Sequence, residues 1–126
     1  MSTNEAPGAR KRGRNSVLEA LETFRALNTP RAFHGMILFL YVCENEGLNV
    51  SELAYVADMQ VATTARVVNI LSGEGDESAL PSDEALFEFR TSTEDRRLKF
   101  VHLSERGRQL RDRVERIIAQ ANPVLI

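Results

Sequence analysis

The sequence predicts a mostly α-helical domain that carries one small β-hairpin. Three observations carry this. Asn49 and Glu52 open a short helix that passes through the turn Asp58-Met59-Gln60 into a second helix, 61 to about 71. Residues 86–91 and, in part, 98–103 alternate apolar and polar side chains as half-buried strands do, around the polar turn Ser92-Thr93-Glu94-Asp95-Arg96. Ser104 then starts an amphipathic helix directly behind the second strand. Two short helices followed by a basic-tipped hairpin is the layout of a winged helix-turn-helix. That architecture sets one helix in the DNA major groove and the hairpin over the neighbouring backbone or minor groove.

Each element has its own signals. Residues 1–15 hold Pro, Gly, Asn and the run Arg10-Lys11-Arg12-Gly13-Arg14, and are expected to form a disordered basic arm. Residues 16–126 are expected to form one winged-helix domain. Ser16 with Glu19 has the form of a capping box, and Leu18, Leu21 and Phe24 make one apolar stripe, so a terminal helix is expected over 16–29. Pro30 ends it and suits the first position of the next helix, with Asn28 or Thr29 as cap. That second helix is expected to run to about Glu46 before Gly47, and to be buried, since Met36 to Cys43 is apolar almost all round.

The helix-turn-helix follows over 49–71. In its second helix Thr64, Val68 and Leu71 share the inner face, which leaves Ala62, Thr63, Arg66 and Asn69 or Ile70 outward. Residues 72–85, rich in Gly, Ser, Asp and Glu around Pro81, read as a long surface loop, and the wing spans 86–103. The last helix is expected over 105–122 with Leu110, Val114, Ile117, Ile118 and Ala121 on one stripe and Pro123 as its stop.

Composition narrows the function. The chain has 126 residues, one domain's worth, and is 43% hydrophobic, enough for a core. It has one cysteine, Cys43, so no internal disulfide forms and a reducing, cytoplasmic compartment is expected. No apolar run reaches the roughly 18 residues of a membrane helix, and no membrane partner is expected. The net charge of −2 is unevenly spread. Residues 1–14 carry four basic groups and one acid; 15–89 carry three basic groups and twelve acids; 90–126 carry nine basic groups and five acids. Positive charge therefore gathers on the arm and on the hairpin with its following helix, the footprint of a basic face on an acidic body.

The candidate DNA-binding residues are Ser51, Gln60, Ala62, Thr63 and Arg66 on the helix-turn-helix, and Arg90, Asp95, Arg96, Arg97 and Lys99 on the wing. Arginine forks onto phosphates and base edges, a threonine hydroxyl bonds either, and an alanine methyl meets a thymine methyl. Taken singly, a basic hairpin tip is a solvated turn; behind a helix-turn-helix it becomes a DNA contact. The same holds for a polar helix face. Arg106, Arg108, Arg111, Arg113 and Arg116 interleave with Asp112 and Glu115 as a solvated face with local ion pairs. Cys43 has no cation beside it in sequence and reads as a buried structural thiol rather than a redox sensor. His34 and His102 stand far apart without a second cysteine, so no metal site is expected. No phosphate loop or nucleophile elbow occurs, and neither a catalytic residue nor a cofactor is expected.

Residues from about Ala32 to Arg113 resemble the MarR family of winged-helix transcriptional regulators. Asp95-Arg96-Arg97 is similar to the family's Asp-x-Arg wing turn, and Leu103-Ser104-Glu105-Arg106-Gly107 to its Leu-Thr/Ser-x-x-Gly helix start. Ser51-Glu52-Leu53-Ala54 resembles the opening of its first motif helix, and the run from Thr63 to Leu71 its recognition helix. The chain departs from the family in a longer and more acidic 72–85 loop, in Gln60 where a Ser or Thr cap is common, and in a recognition face with one charge.

The resemblance implies a homodimer, commonly a repressor, bound to a palindromic operator, with Asp95 holding Arg97. It implies dimerisation through the terminal helices, here Leu18, Leu21, Phe24, Leu110, Val114, Ile117 and Ile118. It leaves a small-molecule effector possible and unidentified. Two other readings stand beside it: a winged-helix module that binds proteins, and a replication or partition factor using the same fold on a different palindrome.

Overall fold

A computed structural model describes residues 15–25, 27, 29, 31–75 and 78–125. The element order is α1 (Ser16–Glu22), α2 (Ala32–Glu44), α3 (Val50–Ala57), α4 (Val61–Leu71), a 3₁₀ turn (Ser82–Glu84), β1 (Phe87–Thr91), β2 (Lys99–Leu103) and α5 (Glu105–Gln120). The strands form an antiparallel hairpin with Phe89 opposite Val101, and Leu48 adds a short third pairing on the other edge of β2. This is the expected winged helix-turn-helix.

The core lies where α2, α3, α4 and the hairpin meet. Leu38, Phe39, Leu53, Val68, Leu71, Phe87, Val101 and Leu103 are buried there. Phe39 stacks on Phe87 at 6.4 Å and meets Phe24 edge-on at 5.6 Å. Asn49 and Glu52 make the expected reciprocal capping box. Ser104 caps α5, its Oγ accepting the Gly107 N–H at 2.9 Å and donating to the Ala85 carbonyl at 2.6 Å. A Cβ at Gly107 would stand 2.2 Å from the Leu86 carbonyl oxygen, so only glycine allows this approach. The Ser-x-x-Gly spacing is thus a seam that ties the wing to α5.

Several expectations are corrected. The first helix ends at Glu22, not near residue 29, and its cap is Asn15, whose side chain accepts the Leu18 N–H. Beyond Glu22 the bonds tighten to three-residue spacing, from Thr23 N–H to the Ala20 carbonyl through Leu27 N–H to the Phe24 carbonyl. That path turns Phe24 and Leu27 into the core. Ser16, freed from capping, accepts the Asn122 N–H at 2.8 Å and joins the two ends of the domain.

α2 begins at Ala32 behind Arg31, a left-handed residue at φ 60°, so Thr29 is not its cap. Pro30, Asn28 and the basic arm 1–14 lie outside the described residues. α2 is not buried all round. Gly35, Leu38, Phe39 and Val42 face the core, while Phe33 and Leu40 on the opposite side are 65% and 44% exposed. In α4 Asn69 faces out and Ile70 is buried. The 72–85 loop is anchored by buried Leu80 and Ala85. Leu98 precedes β2 rather than starting it. No helix among the described residues is long and apolar enough to cross a membrane.

Candidate nucleic-acid interface

The helix-turn-helix depends on one backbone feature. Asp58, at φ 54° and ψ 51°, closes α3 in the left-handed region, where Asp is tolerated better than most residues. The Met59 N–H then returns to the Ala54 carbonyl, and Gln60 starts α4 in extended geometry. Gln60 makes no side-chain capping bond, so its amide is not used by the helix. Thr64 points inward, fully buried, with its hydroxyl donating to the Gln60 carbonyl at 2.9 Å. The opposite face then presents Ala62 and Arg66 exposed and Thr63 half-buried. Ser51 is exposed in the first turn of α3. Tyr55, one turn along the same face, is 88% exposed, and the sequence reading passed over it. Helical spacing predicts Leu53, Val56 and Ala57 inward; Leu53 and Ala57 do pack on the core, whereas Val56, next to Tyr55, is 39% exposed.

The wing tip carries a local hydrogen-bond network. Ser92 Oγ accepts the N–H groups of Glu94 and Asp95, and the Leu98 N–H returns to the Asp95 carbonyl. The Asp95 carboxylate accepts three donors of Arg97: the backbone N–H at 3.0 Å, Nε at 3.1 Å and Nη2 at 3.2 Å. The Arg97 guanidinium beside it holds the Asp95 carboxyl below the ordinary aspartate range. Arg97 keeps 91% of its side chain in solvent even so. A guanidinium held this way loses less freedom on meeting a phosphate than a free one does.

The other wing cations are distributed differently. Arg90 pairs with Glu88 at 3.1 Å, and the Lys99 ammonium lies 5.4 Å from the centre of the Phe89 ring. Arg96 is exposed and has no ion pair among the described residues. Glu46 and His102 at the root of the wing are a pair that sequence reasoning missed, 3.6 Å apart between Oε1 and Nδ1. Their separation of 56 positions hides them from any local pattern.

The residues expected at a dimer interface divide. Phe24, Val114 and Ile117 are buried within the chain, because α1 and the segment after it pack against α5 and the core. Leu110 is half-buried against the same core. Leu18, Leu21 and Ile118 remain exposed, with Val17, Val124 and Leu125 beside them in sequence.

A cleft of about 250 Å³ is lined by Phe24, Leu80, Leu86 and Leu110 and by the charged groups Glu84, Arg106 and Arg113. Burial pushes the half-buried Cys43 thiol up to about 11, so at neutral pH it is un-ionised and a poor nucleophile. Among the described residues no three His, Cys, Asp or Glu side chains gather as a metal site.

No protein-family profile and no curated protein matches the chain by sequence. Solved structures do match by fold. A MarR transcriptional regulator from Methanosarcina mazei Go1 superposes with a TM-score of 0.56 at 19% identity, over 82% of this chain and 66% of that one. CouR from Rhodococcus jostii RHA1, bound to p-coumaroyl-CoA, gives 0.56 at 22% identity over 84% of this chain and 64% of CouR. A mutant of MepR from S. aureus, bound to an oligodeoxyribonucleotide, gives 0.58 at 18% identity over 83% and 69%. CouR has also been solved as a transcriptional repressor on a 23-mer DNA duplex. The chain spans only 64–66% of the length of the M. mazei regulator and of CouR. Helix order, wing and superposition agree: this chain has the winged-helix fold of the MarR transcriptional regulators.

Proposed function

We propose that the chain is a sequence-specific double-stranded DNA-binding transcriptional regulator, a repressor acting as a homodimer on a palindromic operator. One observation carries the reading: the exposed Arg97 held by three hydrogen bonds to Asp95 at a wing tip that follows a helix-turn-helix. A solvated turn gains little from ordering a fully exposed guanidinium, whereas a groove or phosphate contact needs it ordered. The polar start of α4, with Gln60, Thr63 and Arg66, supplies the residue types that read base edges. Ser51, Arg90, Arg96 and Lys99 extend the surface toward phosphates, and Ala62 offers a methyl contact. Solved proteins of the same fold bound to DNA, CouR and MepR among them, support this assignment.

The homodimer is supported by the apolar side chains of Leu18, Leu21 and Ile118 left in solvent. A small-molecule effector would have the cleft beside α5, about 250 Å³ in volume and lined by apolar side chains with Glu84, Arg106 and Arg113, as its place. The test is binding to duplex DNA from the region upstream of the chain's own gene, over a series of salt concentrations. Affinity that falls steeply with salt and exceeds that for scrambled DNA is expected. Binding that ignores both salt and sequence contradicts the proposal and favours the protein-interaction module.

A further inference from the structure

The root of the wing holds a carboxylate that the DNA-contact surface does not use. Glu46 follows the end of α2 by two residues and precedes Gly47, which turns the chain at φ 94°. In the hairpin register residues 100 and 102 of β2 face β1, so 99, 101 and 103 direct their backbone groups to the opposite edge. There the Val101 N–H donates to the Leu48 carbonyl and the Val101 carbonyl accepts the Gly47 N–H, each at 2.8 Å. The Leu103 N–H, next along that edge, donates to Glu46 Oε1 at 2.8 Å. A side chain thus continues the pairing where the backbone of the α2–α3 connection stops. The same oxygen lies 3.6 Å from His102 Nδ1, and the Glu46 side chain is only one-third exposed.

We propose that Glu46 is the positioning residue of the wing: by accepting the Leu103 N–H it fixes the angle at which β2 leaves the domain, and so where Arg96 and Arg97 stand. The lever is long. Arg97 lies six positions before Leu103, beyond the roughly 13 Å of extended β2, so a tilt of about 5° at the root moves the tip by more than about 1 Å. A displacement of that size breaks a directional contact to a groove or phosphate. The pairing also joins the end of α2, one face of which is the central core, to the element that carries the basic tip. This role rests on the proposal that the wing meets DNA.

The test compares Glu46→Ala, which removes the acceptor, with Glu46→Gln, whose amide oxygen retains it. Two readouts are needed. Hydrogen exchange of the Leu103 amide reports the bond without DNA: protection falls in Glu46→Ala and persists in Glu46→Gln. Affinity for the upstream duplex reports the consequence: a loss of about tenfold in Glu46→Ala, the size expected for one charge-assisted hydrogen bond, and near wild-type binding in Glu46→Gln. A double-mutant cycle separates positioning from general destabilisation, because in an Arg97→Ala background the Glu46→Ala loss should largely vanish. Unchanged Leu103 protection in Glu46→Ala, a Glu46→Gln variant as weak as Glu46→Ala, or an undiminished loss in the Arg97→Ala background overturns the role. If the wild type fails to bind DNA while Leu103 protection follows the expected pattern, the DNA reading has failed and the hydrogen bond has not.

Discussion

Arg97 and Gly107 show how single residues carry this domain. Arg97→Ala should leave the melting temperature nearly unchanged, since its side chain is 91% exposed, and should reduce the salt slope of DNA binding by about one unit. An unchanged slope in a gel-shift series removes Arg97 from the interface. Asp95 sets the pH range of this contact. Its carboxyl is held below the ordinary aspartate value by Arg97, so the clamp is complete above that range and is lost as pH falls through the lowered value. The Arg97 Nε–H resonance should therefore stay constant as pH falls from neutral through the ordinary aspartate range and change only below it. Gly107→Ala forces a Cβ onto the Leu86 carbonyl, and about 3 kcal/mol of stability should be lost by thermal or urea unfolding. At this scale the sequence was informative where partners are near: Asp95 to Arg97, Ser104 to Gly107 and Asn49 to Glu52 lie two or three positions apart. Glu46 and His102 were invisible because their meeting is made by the fold.

Periodicity decided most of the elements. Thr64, Val68 and Leu71 at spacings of four and three placed the inner face of α4 correctly, and with it the exposed Ala62 and Arg66, while Thr63 is half-buried. The α1 boundary was misread because the stripe Leu18-Leu21-Phe24 continues at helical spacing through residues whose backbone has already tightened into three-residue turns. A three-residue spacing fits both forms. The apolar run in α2 was read as complete burial, yet a helix can be apolar all round and still bury only one face in its own chain. Arg66→Ala should lower affinity for a specific duplex by about 1–3 kcal/mol with little change for scrambled DNA if Arg66 reads a base, and more uniformly across sequences if it holds a phosphate. Thr64→Val should act first on folding through the hydroxyl bond to Gln60, visible as a lower melting temperature with DNA affinity retained below it.

The described residues form a winged-helix lobe with apolar side chains left uncovered where residue 16 meets residue 122. The sequence pointed to two interface stripes; the fold shows that parts of them cover each other, with Phe24, Val114 and Ile117 buried inside the chain. Which side of an amphipathic helix meets its own chain and which meets a partner is a tertiary matter that spacing does not encode. If the proposed homodimer forms, Leu18, Leu21 and Ile118 are the residues left for a second copy, and Leu21→Glu should then shift the chain to a monomer by light scattering at micromolar concentration. Two-fold symmetry would then place two recognition helices about one helical turn of DNA apart.

The measurement that bears most directly on the central claim is a salt-dependent binding titration of the wild type and Arg66→Ala against the upstream duplex and a scrambled control, with thermal melting in parallel. The proposal predicts steep salt dependence, preference for the upstream duplex, and loss of affinity in Arg66→Ala with an unchanged melt. Equal affinity of both proteins for both duplexes, with the fold intact, would contradict it.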